Sequence, residues 1–421
     1  MDSALLILWI VTFFVFFITS CLKTTKVIFV TPIFAFLVFN LLFIFPNYFS
    51  YGFDSLYFYV TYLGMLSFLF IYSIFSYKES TFKIPYIGWR KGLVFYISVL
   101  SLLIVLTFFF WVYSYSRMGI SVSELLLNPI KYTGMKGKLN IFVDFTVNSI
   151  IANLINYYLL CLLFRNGVPS KKDLILVLTF KILALFATFT TGRFIYIAHT
   201  AVFALLYILA QNRNYNALKQ LVMMVVVFVF APIILYILNI ARHGYWDVFS
   251  DFSVLDAYVA LTADLNPGRK LNDLINYVQS HGYNFGVYIL FIVLNIIPRA
   301  IWPDKPVISS QFDYTQKIYG IDPIVDITTY TFTIYDVYAV FGFPSLIMFL
   351  CIFGFIFAKF YSWIFTSTVL YYKYFFLMYC LNSINAFRAN MIDSLFLTVL
   401  NFTIGIIIFG SLNYVHRKNR I

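Results

Sequence analysis

One stretch decides the fold: Ile296-Ile297-Pro298-Arg299-Ala300-Ile301-Trp302-Pro303-Asp304-Lys305-Pro306, the centre of a polar interruption that covers residues 241–335. Apolar runs dominate the sequence on both sides of it. Of the 421 residues, 62% are hydrophobic, 22% are aromatic and only 11% are charged, whereas a soluble domain carries roughly 25% charged residues. The composition indicates an integral membrane protein, and the interruption is the long segment with room for a water-facing site.

Apolar runs of about 17–25 residues are long enough to cross the hydrocarbon core as helices. Such runs predict eleven transmembrane helices, at residues 4–22, 26–46, 56–76, 92–114, 141–164, 174–190, 194–211, 218–240, 336–358, 374–388 and 391–412. We therefore expect an all-α polytopic membrane protein in three parts. These are an N-terminal bundle of about eight helices (1–240), a large extracytoplasmic loop (241–335) and C-terminal transmembrane helices (336–421).

The charges predict the orientation. An odd number of spans places the two termini on opposite sides of the membrane. With the N-terminus outside, most lysines and arginines fall in the inner connections and most acidic residues in the outer ones, as the positive-inside rule requires. The sequence thus predicts a multi-pass membrane protein with the N-terminus outside and a cytoplasmic C-terminus. The net charge of +12 is then largely topological and favours membrane lipids, not nucleic acid, as partners.

The interruption contains short helices of its own. Apolar spacing predicts one helix over residues 252–265 that ends at Asn266-Pro267-Gly268, a second over 270–280 closed by His281-Gly282, and a third over 310–319 stopped by Gly320. Residues 285–297 form an apolar run that is too short to span easily. We expect this run to be interfacial or re-entrant.

Arginine is the residue type that the predicted outer segments share. Its planar guanidinium is permanently charged and pairs two oxygens at once, so it suits phosphate or carboxylate near a low-dielectric boundary. Six arginines fall on the predicted outer side: Arg117, Arg193, Arg242, Arg269, Arg299 and Arg388. Their clustering predicts a site that binds a lipid-linked pyrophosphate and stabilises the charge on a departing diphosphate. For any single one of them, interface anchoring is the plainer interpretation.

Other side chains complete this predicted site. Lys305 adds a positive charge, and nearby aromatic rings would stack on sugars: Tyr245, Trp246, Tyr283, Trp302, Tyr314 and Tyr319. His281 is the first candidate for a general base because a neutral imidazole accepts a proton at physiological pH. Its rivals are His243, Asp313 and Asp54.

Lys181 lies well inside the sixth predicted span. An ionisable residue at that depth is a functional candidate. The structural alternative is that its side chain snorkels toward Lys172 and the inner membrane surface.

Several chemistries lack their motifs. The sequence has no Gly-x-x-x-x-Gly-Lys, no His-Glu-x-x-His, no Gly-x-Ser-x-Gly and no Asp-x-Asp pair. The four cysteines all lie in or beside apolar runs, which disfavours disulfides and metal sites. We therefore expect neither a metal nor a cofactor.

The plan of the chain resembles that of the bacterial O-antigen and capsule repeat-unit polymerases, the Wzy family. Members share many spans, a dominant outer loop late in the chain and scattered outer arginines. The matching stretches are Thr191-Gly192-Arg193, Arg242-His243-Gly244-Tyr245, and Ile297-Pro298-Arg299 followed by Trp302-Pro303-Asp304-Lys305-Pro306.

The resemblance implies a metal-independent glycosyltransferase of the GT-C type. Such an enzyme would move a growing glycan from undecaprenyl pyrophosphate to the non-reducing end of a lipid-linked repeat unit, with a chain-length regulator and a flippase as possible partners. His281, Arg299 and Arg242 would be catalytic. An O-antigen ligase, another lipid-linked glycan transferase, and a lipid-linked oligosaccharide flippase remain alternatives.

Overall fold

The computed structural model describes residues 2–23, 31–76, 82–85, 91–117, 119–121, 123, 150–187, 193–211, 267–284, 310–321, 333–381, 383, 387, 403 and 405–412. Every regular element in these ranges is helical. In chain order they are α1 (Asp2–Lys23), α2 (Pro32–Phe39), a π-turn (Asn40–Ile44), α3 (Phe45–Tyr51), α4 (Leu56–Phe75), α5 (Leu93–Ser116), α6 (Ala152–Leu163), α7 (Lys171–Ala187), α8 (Arg193–Ala210), α9 (Pro267–His281), α10 (Ser310–Tyr319), a 3-10 turn (Ile334–Val337), α11 (Tyr338–Phe341), α12 (Phe343–Thr366) and α13 (Leu370–Leu381).

Within the described ranges, four helices are long and apolar enough to cross a membrane: Pro32–Tyr51, Leu56–Phe75, Leu93–Ser116 and Phe343–Thr366. The first of these comprises α2, the π-turn and α3. They confirm the prediction of a helical membrane protein. The eleven spans and the GT-C architecture stay predictions, and the predicted span 218–240 lies outside the described residues.

The predicted span 336–358 is displaced. The long helix α12 begins at Phe343, and residues 334–341 form a separate short helical segment before it. Gly342 separates the two segments with a φ of 77°, which is not helical. Few residues other than glycine adopt this conformation. Pro344 then stands in the first turn of α12, where a missing N–H is tolerated.

The short helices of the interruption agree with the sequence in part. Helix α10 has the predicted bounds and ends at Gly320, and α9 ends at His281 before Gly282. The start of α9 was predicted wrongly: Asn266-Pro267-Gly268 is not only a break, because Pro267 is the first residue of the helix. The predicted helix 252–265 and the apolar run 285–297 lie outside the described residues.

The described residues form two apolar core clusters. The first contains α1 to α4, the buried face of α9, residues 334–341 and the first half of α12. The second contains α5 to α8, the end of α12 and α13. Within the first, α4 and α12 approach closely at Gly354, where an added Cβ would lie 2.7 Å from the Phe68 carbonyl oxygen. Small residues that admit a neighbouring backbone are typical of helix pairs in membranes.

A buried lysine closes one end of the second cluster. Lys373 is fully buried and donates to the carbonyl oxygens of Ile364 and Phe365, in the last turn of α12. Its ammonium also lies 3.9 Å from the centroid of the Phe82 ring. Since the last carbonyls of a helix have no partner within it, Lys373 satisfies two of them and compensates its own charge.

Helix α7 begins with a reciprocal cap. The Ser170 hydroxyl oxygen accepts from the Asp173 N–H at 3.2 Å, while Asp173 Oδ2 accepts from the Ser170 hydroxyl at 2.7 Å. Asp173 also pairs with Arg165, with Arg165 Nη2 2.9 Å from Oδ1. One buried carboxylate therefore fixes the helix start and the connection from α6 to α7.

Replacing Asp173 by alanine should lower the free energy of unfolding by roughly 1–3 kcal/mol, because the cap and the ion pair are lost together. The free energy of unfolding of Asp173→Asn should lie between those of the wild type and Asp173→Ala, since an amide oxygen can still cap the helix. Thermal unfolding of the purified protein measures the change. Lys172→Ala, at an exposed position one residue away, is the control, and an equal loss in this control would contradict the assignment.

Candidate functional site

Helix α9 lies across the end of the bundle where α3 ends, α4 begins and α12 begins. Its apolar stripe, Leu271, Leu274, Ile275 and Val278, is buried in the first cluster. The opposite side carries exposed polar residues, including Arg269 and His281. An amphipathic helix with this distribution covers the apolar ends of the bundle and presents a polar surface to water.

The first turn of α9 is seated on the π-turn through Gly268. An added Cβ at Gly268 would overlap the Asn47 amide nitrogen and would lie 2.5 Å from the Phe43 carbonyl oxygen and 2.8 Å from the Tyr57 hydroxyl. Glycine is thus required by the close approach of the helix. The Asn47 amide donates to the Phe43 carbonyl at 3.0 Å, so the seat is itself ordered.

The far end of the interruption is fixed to the same π-turn. The Tyr335 hydroxyl donates to Asn40 Oδ1 at 2.6 Å, and Asn40 Nδ2 donates to the Phe36 carbonyl oxygen at 2.9 Å. Both Asn40 and Tyr335 are fully buried. The Tyr335 ring packs against Gly64, where an added Cβ would lie 2.6 Å from it. The bond between Asn40 and Tyr335 therefore joins two residues that are 295 positions apart in sequence.

One polar contact links α10 to α9, a second links α10 to Asn284, which follows α9, and a third links Asn284 to α11. The Tyr319 hydroxyl donates to Asp273 at 2.7 Å, and the Asn284 side chain donates to the Tyr314 hydroxyl at 2.7 Å. The Asn284 backbone N–H donates to the Ala339 carbonyl at 2.9 Å. Burial raises the pKa of Tyr314, so its hydroxyl stays protonated. We call α9 and α10 the platform.

His281 is the last residue of α9 and is exposed. Its Nδ1 lies 3.0 Å from the Tyr277 carbonyl oxygen and 2.8 Å from the Ser280 hydroxyl. The imidazole stacks on the Tyr277 ring, with centroids 4.2 Å apart and planes at 11°. With the Nδ1 proton donated to the Tyr277 carbonyl, Nε2 is the nitrogen that can accept a proton. This arrangement suits a general base.

Arg269 is exposed in the first turn of α9. Its positive charge and the negative charge of Asp273 both act on the Tyr51 hydroxyl. Arg269 lies twelve residues before His281 on the same helix, which is about 18 Å along the axis at 1.5 Å per residue. Arg269 and His281 therefore cannot contact the same phosphoryl group. They could act only on different parts of an extended ligand.

The other proposed site residues are placed as follows. Arg117 is exposed at the end of α5, 5.9 Å from the centroid of the Tyr113 ring. Arg193 begins α8, and its side chain lies outside the described residues. Six other proposed site residues lie entirely outside the described residues: Arg242, Tyr245, Arg299, Trp302, Lys305 and Arg388. Their convergence stays a prediction.

The other candidate bases and the candidate stacking rings differ in their ion pairs and in their exposure. Asp313 pairs with Lys317 at 2.6 Å within α10, and Asp54 is exposed in the turn before α4. His243 lies outside the described residues. Tyr283 is 40% exposed and available to a sugar, whereas Tyr314 is 4% exposed and cannot stack on one. The proposed stacking role of Tyr314 is therefore wrong.

Sequence reasoning missed the three residues that hold the platform: Asn40, Gly268 and Tyr335. The signal for Asn40 was a lone amide in the apolar run Phe36-Leu37-Val38-Phe39-Asn40-Leu41. Its partner could not be found from sequence, because the contact is formed across almost the whole chain.

The fold and site define a helical membrane protein whose bundle is covered at one end by a polar platform. Among the residues that the structure describes, no three His, Cys, Asp or Glu side chains are grouped to hold a metal ion. Comparisons with protein-family models, with curated proteins and with solved structures find no match.

Replacing Tyr335 by phenylalanine should lower the free energy of unfolding by about 1–3 kcal/mol, because Asn40 Oδ1 is left buried without a donor. The ring, and hence the packing against Gly64, is kept. Thermal unfolding in detergent measures the loss. Tyr59→Phe removes a hydroxyl at a position that is 37% exposed and is the matched control. Equal midpoints for Tyr335→Phe and the wild type would contradict the role of this bond.

Proposed function

We propose that this protein is a polysaccharide polymerase, a glycosyltransferase of the bacterial plasma membrane that acts on undecaprenyl-pyrophosphate-linked repeat units. The observation that carries the proposal is the platform. It presents the exposed guanidinium of Arg269 and the exposed imidazole of His281 at the end of an apolar bundle, and the exposed Tyr283 ring lies just after α9. The family resemblance of the sequence supplies the choice of substrate.

The substrate chemistry fits a site of this kind. A lipid-linked oligosaccharide has an apolar tail, a diphosphate at the membrane surface and sugars in water. A polar helix seated on the ends of membrane helices lies where the tail ends and the polar part begins. Exposed arginine binds phosphate oxygens there more strongly than it would in bulk water, because the local dielectric is lower.

The proposed reaction forms one bond and breaks one. A hydroxyl at the non-reducing end of the acceptor unit attacks the anomeric carbon of the donor glycan. The bond from that carbon to the diphosphate oxygen breaks, the hydroxyl proton goes to the base, and undecaprenyl diphosphate leaves. Cationic side chains stabilise the charge that develops on the diphosphate, so the step requires no metal.

The 18 Å estimate between His281 and Arg269 assigns them different substrates. A base must contact the attacking hydroxyl, and this hydroxyl is next to the donor's diphosphate at the moment of transfer. If His281 is the base, the donor diphosphate lies near it, and Arg269 is too distant to bind that group. Arg269 instead suits the acceptor's own diphosphate, which is one repeat unit away at the reducing end. We therefore assign the donor diphosphate to Arg242 and Arg299.

A chain-length assay tests the proposal. The purified protein in nanodiscs is given lipid-linked repeat units extracted from its host, and products are separated by size. We expect long chains from the wild type and only single units from Arg242→Ala, Arg299→Ala and His281→Ala. Lysine at either arginine position should also impair transfer if bidentate contact matters.

Lys172→Ala, at an exposed position on α7, is the control and should give wild-type ladders. Normal ladders from both arginine variants at wild-type expression would contradict the proposed site. Transfer of the glycan to a different lipid acceptor, without longer chains, would instead identify a ligase.

A second candidate is a lipid-linked oligosaccharide flippase. It is favoured by one observation, a charged side chain buried within a predicted span: Lys181 is 7% exposed, and such residues mark transport pathways. A flippase would move lipid-linked units across a vesicle membrane without lengthening them.

A further inference from the structure

Lys181 forms a hydrogen bond in the interior of the second cluster. Its ammonium donates to Asn156 Oδ1 of α6 at 2.8 Å, and the two residues are 7% and 4% exposed. Lys181 lies ten residues after the start of α7, which is about 15 Å along the helix. The expectation that Lys181 snorkels to the inner surface is therefore wrong.

The pair has more donors than acceptors. An ammonium carries three N–H groups and no acceptor, and an asparagine amide carries one oxygen and two N–H groups. Asn156 Oδ1 is already used by Lys181. Within the described residues, neither side chain makes another hydrogen bond. Among the described residues, the other N–H groups of the ammonium and of the Asn156 amide thus have no recorded acceptor.

No acidic side chain compensates this charge in the described part of the chain. The ion pairs there are Arg165 with Asp173 and Lys317 with Asp313. Asp173 is on the same helix but eight residues earlier, about 12 Å away. The neighbouring buried positions of α7 are apolar: Val177, Phe180 and Ala184. An ammonium without a counter-charge in such surroundings is strongly destabilised.

Lys373 shows what a structural lysine looks like in this protein. It is also buried, but two carbonyl oxygens and an aromatic ring lie against its ammonium. Lys181 has one neutral acceptor in the described part of the chain. Lys181 and Lys373 are both buried, and they differ in the number of hydrogen-bond acceptors that the described residues place near the ammonium.

We propose that Lys181 and Asn156 form an intramembrane binding site for a single oxyanion, the carboxylate or phosphate group of a ligand. The ammonium supplies the charge, and the Asn156 amide N–H groups supply further donors. Oxygen acceptors of the ligand satisfy both. The ligand is either a soluble anion or the phosphomonoester headgroup of a lipid. This site does not depend on the proposed glycan transfer, since it lies in the other apolar cluster.

Thermal unfolding of the full-length protein in phosphatidylcholine nanodiscs tests the proposal. One arm adds inorganic phosphate against sodium chloride of equal ionic strength, and the other replaces part of the lipid by phosphatidic acid. A ligand that binds the folded state raises the unfolding midpoint with concentration. We expect a rise in at least one arm, and the arm that responds identifies the source.

Variants assign the rise to the site. Lys181→Met should abolish it, Lys181→Arg should keep it, and Asn156→Leu should raise the apparent dissociation constant about tenfold through the lost hydrogen bonds. Methionine suits the apolar surroundings, and the midpoint without ligand reports whether each variant folds.

Lys172→Met, an exposed lysine on the same helix, should respond like the wild type. No rise in either arm would overturn the site in favour of a neutral amine. A rise of equal size in Lys181→Met would place the anion elsewhere.

Discussion

The hydrogen bond from Tyr335 to Asn40 is the constraint on which the described architecture depends. It is formed between two fully buried side chains, where the low dielectric makes an unmatched polar atom especially unfavourable. Asn40 is also the first residue of the π-turn. The bond therefore fixes a helical irregularity and a segment from the other half of the chain in one step. Single π-turns within α-helices are frequent at functional sites.

The π-turn contacts both the platform and the segment that follows the interruption. Tyr335 anchors the segment that follows the interruption, and Gly268 seats the first turn of α9. Neither contact uses a charged group. Arg269 and His281 are exposed on the polar surface of the platform, and Tyr283 is exposed just after α9. Rigid seating of this kind is what a site on a membrane surface requires, because a displacement of 1 Å already impairs group transfer.

Sequence patterns predicted the elements better than their junctions. The apolar runs found the long helices, and helical spacing with Gly320 found α10 at its observed bounds. The start of α12 was misplaced because hydropathy continues through residues 336–342, while the break depends on the backbone of Gly342. His281 and Arg269 were found as exposed polar residues. The bond between Asn40 and Tyr335 could not be, because no local pattern encodes a contact that spans most of the chain.

The two buried lysines show why burial alone does not identify function in a membrane protein. Lys373 closes a helix end, and its hydrogen bonds account for its position completely. Among the described residues, Lys181 has one amide acceptor in the middle of a predicted span, and these contacts leave its charge without a partner of opposite sign. It also belongs to the second cluster, whereas the platform rests on the first. The glycan transfer proposed for the platform and the anion binding proposed for Lys181 therefore concern different parts of the molecule and can be tested separately.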